Sequence, residues 1–198
     1  MTSALDLLDR RNRRALWRAL RGNFEPTDPP ESPDSALTEV VQRPFESLPD
    51  TETRLSRLER RLRDRGDRRS VFLSIYVKMT SEVRDGIEND QFEDPEWMRS
   101  YVRSFAEHYR RAFVHFEQGD VEAVPDPWQV AFGQAVHGDT LVMQDAFLGV
   151  NAHINYDLAL ALDDVGIDPN REAKYRDHCE INDALSGLVD RQQEMLAR

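Results

Sequence analysis

In the stretch NAHINYDL, residues 151–158, groups able to bond hydrogen or metal stand at alternate positions: Asn151, His153, Asn155 and Asp157. On a helix His153 and Asp157 are four apart and share a face, with Gly149 and Ala146 on the preceding turns leaving space above the imidazole. An imidazole and a carboxylate at that spacing chelate one divalent ion, and zinc, iron or manganese suit the pair. The same pair serves equally as a buried hydrogen bond that holds neighbouring helices in register, or as the wall of a metal-free pocket for a small molecule. Asn151 and Asn155 lie with Gln144 and Leu148 on a second stripe about 200° around the helix, placed to orient a substrate or to bond the groups behind the ligands. Apolar Met143, Phe147, Val150, Ile154 and Leu158 cover the rest of the surface. A helix so patterned is expected to be central and buried on most sides.

Two ligands do not make a site. The last helical stretch, KYRDHCEINDAL, offers Asp177 and Asn182, with Asp177 on the face of Ile181. Glu82 follows Met79 by three and Ile75 by seven, which turns a carboxylate toward the core, and His108 follows Phe105 by three. Each of these has a plainer role: Glu82 beside an arginine such as Arg103 or Arg110, and His108 as a boundary histidine. His115, His137 and His178 fall beside helix ends or charged neighbours and are expected at the surface. With five histidines in the chain, one metal or at most two can be held.

The elements that must position these residues are punctuated by Asp-Pro pairs. Asp94-Pro95, Asp126-Pro127 and Asp168-Pro169 each precede a periodic apolar run, with aspartate suited to the cap and proline to the first turn. Two earlier helices are expected at about 51–65 and 68–89, separated at Gly66. Residues 127–163 form one long helix or two broken at Gly138. No alternating strand pattern is visible. The expectation is an all-α domain over 45–198, an irregular bundle of five or six helices around a polar-lined central one. Ahead of it, residues 1–24 carry Leu5, Leu8, Leu16 and Leu20 on one face and arginines on another, an amphipathic arm. Residues 25–44, with four prolines between Glu25 and Ser35, read as a linker.

The net charge is −11, and of 26 basic residues only Lys78 and Lys174 are lysine. Residues 1–23 hold six arginines against Asp6 and Asp9, a balance of +4, so the rest carries −15. So acidic a body repels phosphates, and nucleic acid is not expected as its partner; the pattern suits a salt-tolerant surface. No apolar run approaches the roughly 20 residues of a membrane span, and arginines from Arg10 onward interrupt any signal core, so the cytoplasm is the expected place. Cys179 is the lone cysteine, which excludes an intramolecular disulfide and any zinc site needing two cysteines of one chain. Nothing in the pattern speaks to oligomeric state.

Taken together, VFLSIYVKMTSEV, RSFAEHY, DPWQVAF, QDAFLGVNAHINYDLALAL and RDHCEINDAL resemble the domain-of-unknown-function 5995 family, a helical family. Its pattern falls here on Phe72, Tyr76, Thr80, Phe105, Tyr109, Trp128, Asn151, His153, Asn155, Asp157, Asp177 and Asn182, and the NAHIN block is its specific part. The resemblance implies the helical fold, favours Asp177 as third ligand over Glu82 and His108, and adds Tyr76 and Thr80 to the binding residues. Members of the family often run beyond the position of Arg198, which would leave residues near Asn182 less covered here. The resemblance implies no reaction. All-helical zinc hydrolases of phosphate esters use similar pairs, an analogy at the level of fold. Two functions follow as expectations. One is a metal-dependent hydrolase with His153, Asp157 and Asp177 on the ion and Asn151, Asn155 and Asn182 around it. The other is a non-catalytic helical binding or interaction module in which the same residues form a structural network.

Overall fold

The computed structural model describes residues 34–138 and 141–181. The Arg-rich arm of residues 1–24, most of the proline-dense stretch and Asn182 lie outside them. The described chain is all-α. Helix α1 spans Ser35–Val41, α2 Leu48–Asp64, α3 Ser70–Glu88, α4 Pro95–Glu117, α5 Asp126–His137 and α6 Val142–Ala152. A π-helical turn, His153–Asp157, joins α6 to α7, Leu158–Val165. A last helix, α8, runs through residues 171–181.

Helix α1 occupies a place that composition assigns to linker. Proline density ends at Pro33, the Asp34 carboxylate accepts from the Ala36 N–H at 2.9 Å, and Leu37, Val40 and Val41 are buried in the core. Among the described residues, packed chain therefore reaches back to α1, about ten residues before the expected boundary. Three apolar side chains at helical spacing outweigh the composition of the segment around them.

The punctuation holds at Asp94-Pro95, where Asp94 accepts from the Trp97 N–H at 3.0 Å, and at Gly66, whose φ of 67° lets Gly66 and Asp67 close α2 onto the Arg63 and Leu62 carbonyls. It shifts elsewhere. Helix α5 begins at Asp126 with no side-chain cap, and α8 begins only after Asn170, which stands at a φ of 69°. Gly138, at the same φ, ends α5. The α5–α6 hairpin is tied to the α2–α3 turn by Arg68, which donates to the Gly138 carbonyl at 2.7 Å and pairs with buried Asp145 at 2.5 Å.

Two clusters form the core. The larger holds Leu55, Leu58, Phe72, Tyr109, Phe113 and Trp128; the smaller holds Val83, Ile87, Trp97, Met98, Tyr101 and Ala161. The α6–π–α7 rod lies across both, and it is not buried on most sides. Val142, Met143, Phe147, Asn151, Asn155 and Tyr156 are exposed, Phe147 by 64 %. Inward-facing positions advance by fours through Asp145, Gly149, His153, Asp157 and Ala161. On a regular α-helix each such step drifts about 40°, roughly 160° over the whole stripe. The π turn, in which the Leu158 N–H bonds the His153 carbonyl, takes up the extra residue and keeps Asp157 and Ala161 on the inner face.

Candidate functional site

His153 and Asp157 stand at the two ends of the π turn, 4 % and 1 % exposed. Their side chains meet directly, His153 Nδ1 to Asp157 Oδ2 at 2.9 Å. Trp128, at the start of α5, donates its indole N–H to the same carboxylate at 3.0 and 3.1 Å. Because the carboxylate accepts, Nδ1 carries the proton and a neutral imidazole leaves Nε2 as a bare acceptor. That atom is buried and has no hydrogen-bond partner among the described residues.

Aromatic rings hold the imidazole in plane. Phe105 stacks on it with centroids 3.6 Å apart and planes 4° from parallel, while Tyr76 meets it edge-on at 4.3 Å and Phe72 at 5.5 Å. The space above the imidazole that Gly149 was expected to leave open is occupied: a Cβ at Gly149 would fall 2.5 Å from Phe72 Cγ. Beside this stack lies an apolar cavity of about 80 Å³, lined among others by Tyr76, Met79, Thr80, Phe105, His153 and Ile154. Tyr76 Oη is also buried without a hydrogen-bond partner among the described residues. Burial, and after it the Asp157 charge, pushes the Tyr76 phenol well above its ordinary pKa, so it stays a donor. Thr80 is spoken for: its hydroxyl donates to the Tyr76 carbonyl at 2.9 Å.

Burial also lowers the His153 pKa from its ordinary 6.5, with Asp157 opposing. The unfolded imidazole takes a proton at a higher pH than the folded one, so this contribution to stability is complete above about pH 6.5 and declines as pH falls below it. The melting temperature is expected to drop between pH 7 and pH 5. His153→Asn, which keeps an amide donor toward Asp157, should flatten that drop, leaving the part due to half-buried His178, which burial shifts the same way. Parallel profiles for the wild type and His153→Asn would show that His153 is not held neutral.

The other expected site residues are distributed differently. Asp177 is 1 % exposed, but its two oxygens accept from the backbone N–H groups of Glu93 and Asp94, both at 2.8 Å, and clamp α8 to the start of α4. Asn155 donates to Asn151 at 2.7 Å on the exposed side of the rod, away from the imidazole's buried face. Glu82 pairs with Lys78 at 3.4 Å across one turn of α3, and His108 meets Asp164 at 2.9 Å. His178, expected at the surface, is half-buried, bonds the Tyr101 hydroxyl at 3.2 Å and lines the cavity. Among the described residues no group of three or more His, Cys, Asp or Glu side chains is placed to hold a metal ion. Within the pair, Asp157 lies behind the imidazole, on its Nδ1 side. Trp128 and Phe105 escaped sequence reasoning as site residues; a buried indole N–H needs an acceptor, and that need pointed to Asp157.

The fold and site define an all-helical protein with a neutral, carboxylate-anchored histidine at the wall of a small apolar cavity. The chain belongs to the family of unknown function DUF5995, whose sequence model matches residues 48–198. No curated protein and no solved structure matches it. Among the described residues no helix is long and apolar enough to cross a membrane.

Proposed function

We propose that the chain binds a small, largely apolar molecule carrying a hydroxyl, and that His153 Nε2 accepts from that hydroxyl and can draw its proton. The observation that carries this reading is the unpartnered Nε2, buried beside an apolar cavity while Nδ1 is anchored to Asp157. A buried acceptor without a donor costs about 1–3 kcal/mol, and a ligand hydroxyl recovers that cost. Tyr76 Oη, on a ring edge-on to the same imidazole, complements it by donating a hydrogen bond to the hydroxyl oxygen. Asp157 stabilises the imidazolium that proton uptake would form, and Phe105 fixes the ring's orientation, so the pair is arranged as a general base.

Phenol and toluene, alike in shape and different in one hydroxyl, test it. Phenol should raise the melting temperature of the wild type and bind at least roughly tenfold more tightly than toluene, and His153→Phe should erase that preference. Equal binding of the two to the wild type, or an undiminished preference in His153→Phe, would sink the reading. The module reading, in which the pair only braces the fold, draws on the Trp128–Asp157–His153 chain and predicts that neither probe binds. A metal-dependent hydrolase at this place would present Nε2 to a single zinc, iron or manganese ion with Asp157 behind it. Elemental analysis showing one equivalent in the wild type and none in His153→Phe would replace the small-molecule reading with that one.

A further inference from the structure

A second cavity, about 430 Å³, lies along α8, walled by Trp97, Leu162, Ile167 and Tyr175, with Arg171, Glu172, Lys174, Arg176 and His178 also on its lining. The surface facing the cavity is mostly apolar carbon, the charged side chains contributing chiefly their stems, and the volume is of small-molecule size. Trp97 is fixed there by donating its indole N–H to the Gly166 carbonyl at 2.8 Å, and Tyr175, 67 % exposed, stands at the lip.

Lys174 is the unusual member. It is 7 % exposed, yet its ammonium makes one long hydrogen bond, 3.4 Å to the Asp168 carbonyl, and lies 5.8 Å from the centre of the Trp97 ring. No carboxylate of the described residues pairs with it. Its cationic neighbours are differently served: Arg171 pairs with Asp168 at 3.2 Å and Arg176 with Glu93 at 2.5 Å, both in the open. An ammonium has three protons to donate, and burying one without a counter-charge is costly enough that buried charges are as a rule paired. The composition points the same way. A chain that uses arginine for 24 of its 26 basic residues places one of its two lysines, a compact point charge on a flexible stem, at the floor of an apolar cavity.

We infer that this cavity binds a small carboxylate with an apolar body, its anion paired to Lys174 Nζ and its body laid against Trp97, Leu162 and Ile167. The cavity meets the one beside His153 at His178, which lines both, and the inference stands without that reading.

Calorimetry on the full chain with octanoate, octanol and acetate tests it. Octanoate should bind the wild type, with octanol lacking the charge and acetate lacking the body each at least roughly tenfold weaker. Lys174→Met should weaken octanoate by a similar factor while His153→Asn leaves it unchanged. Should Lys174→Met fail to fold, Lys174→Arg keeps a cation in place, and the wild type alone carries the decision: octanoate must move the Trp97 indole and Ile167 methyl resonances first. No binding of octanoate to the wild type would overturn the inference. So would equal affinity for octanol, full affinity in a folded Lys174→Met, or first perturbation at residues lining only the His153 cavity.

Discussion

Gly149→Ala is expected to destabilise the protein by about 2 kcal/mol or more, although alanine is the better helix former by about 1 kcal/mol. The added methyl would lie 2.5 to 2.7 Å from Phe72 Cγ, Cβ and Cδ2, distances that no side-chain pair tolerates. Phe72 has nowhere to retreat, because its ring packs on Tyr76 at 5.8 Å, Tyr109 at 5.7 Å, Trp128 at 5.4 Å and His153 at 5.5 Å. Helix α6 must move out or the aromatic cluster must repack. For a domain of this size the loss corresponds to a melting temperature lower by roughly 4–8 °C. Phe72→Ala removes two of the three obstructing atoms, Cγ and Cδ2, so the double variant should fall short of the sum of the two single losses. A Gly149→Ala variant melting at or above the wild type would show that α6 and α3 do not approach so closely.

Asp157→Asn is the second large effect, and it reaches both stability and the imidazole. Asparagine keeps an oxygen for the Trp128 indole but turns an amide N–H₂ toward His153 Nδ1, which carries a proton in the wild type. Two donors face each other unless the proton moves to Nε2. The loss of charge-assisted bonds is expected to cost about 1.5–3 kcal/mol. The tautomer change is the distinguishing sign. In ¹⁵N spectra of the wild type above pH 7, the bare nitrogen of His153 should be Nε2, and in the variant it should be Nδ1. With the proton on Nε2 the pocket acceptor is gone, so the phenol preference should vanish with it. An unchanged tautomer together with unchanged stability would mean that Asp157 does not set the state of His153.

The meeting of His153 and Asp157 was legible from spacing alone, because i and i+4 share a face whatever surrounds them. The start at Asp94-Pro95 and the stops at Gly66 and Gly138 were legible for a similar reason: they are local, set by caps and by glycine's left-handed backbone. What failed was long-range phase. Counting at 3.6 residues per turn distributes the apolar residues of 143–158 around a buried rod, and the π turn that re-phases them leaves no mark in residue type. Where Asp177 would turn was not legible, because its partners are backbone N–H groups of Glu93 and Asp94, which any residues would supply. Lys174 was counted as a charge and given no place, since its burial follows from where α8 packs and not from its neighbours in sequence.

The π turn makes a surplus residue a local matter. Over His153–Asp157 the rod carries one residue more than an α-helix of the same span, and the wider turn takes it up so that the inner faces of α6 and α7 stay aligned. Removing a single residue there, such as exposed Tyr156, would let the turn tighten to an α-helix while α7 keeps its phase and Ala161 its place against α4. The change would fall on the pair, bringing Asp157 from four residues after His153 to three. Residue spacing across NAHINYDL is therefore as much a part of the site as the identity of His153 and Asp157.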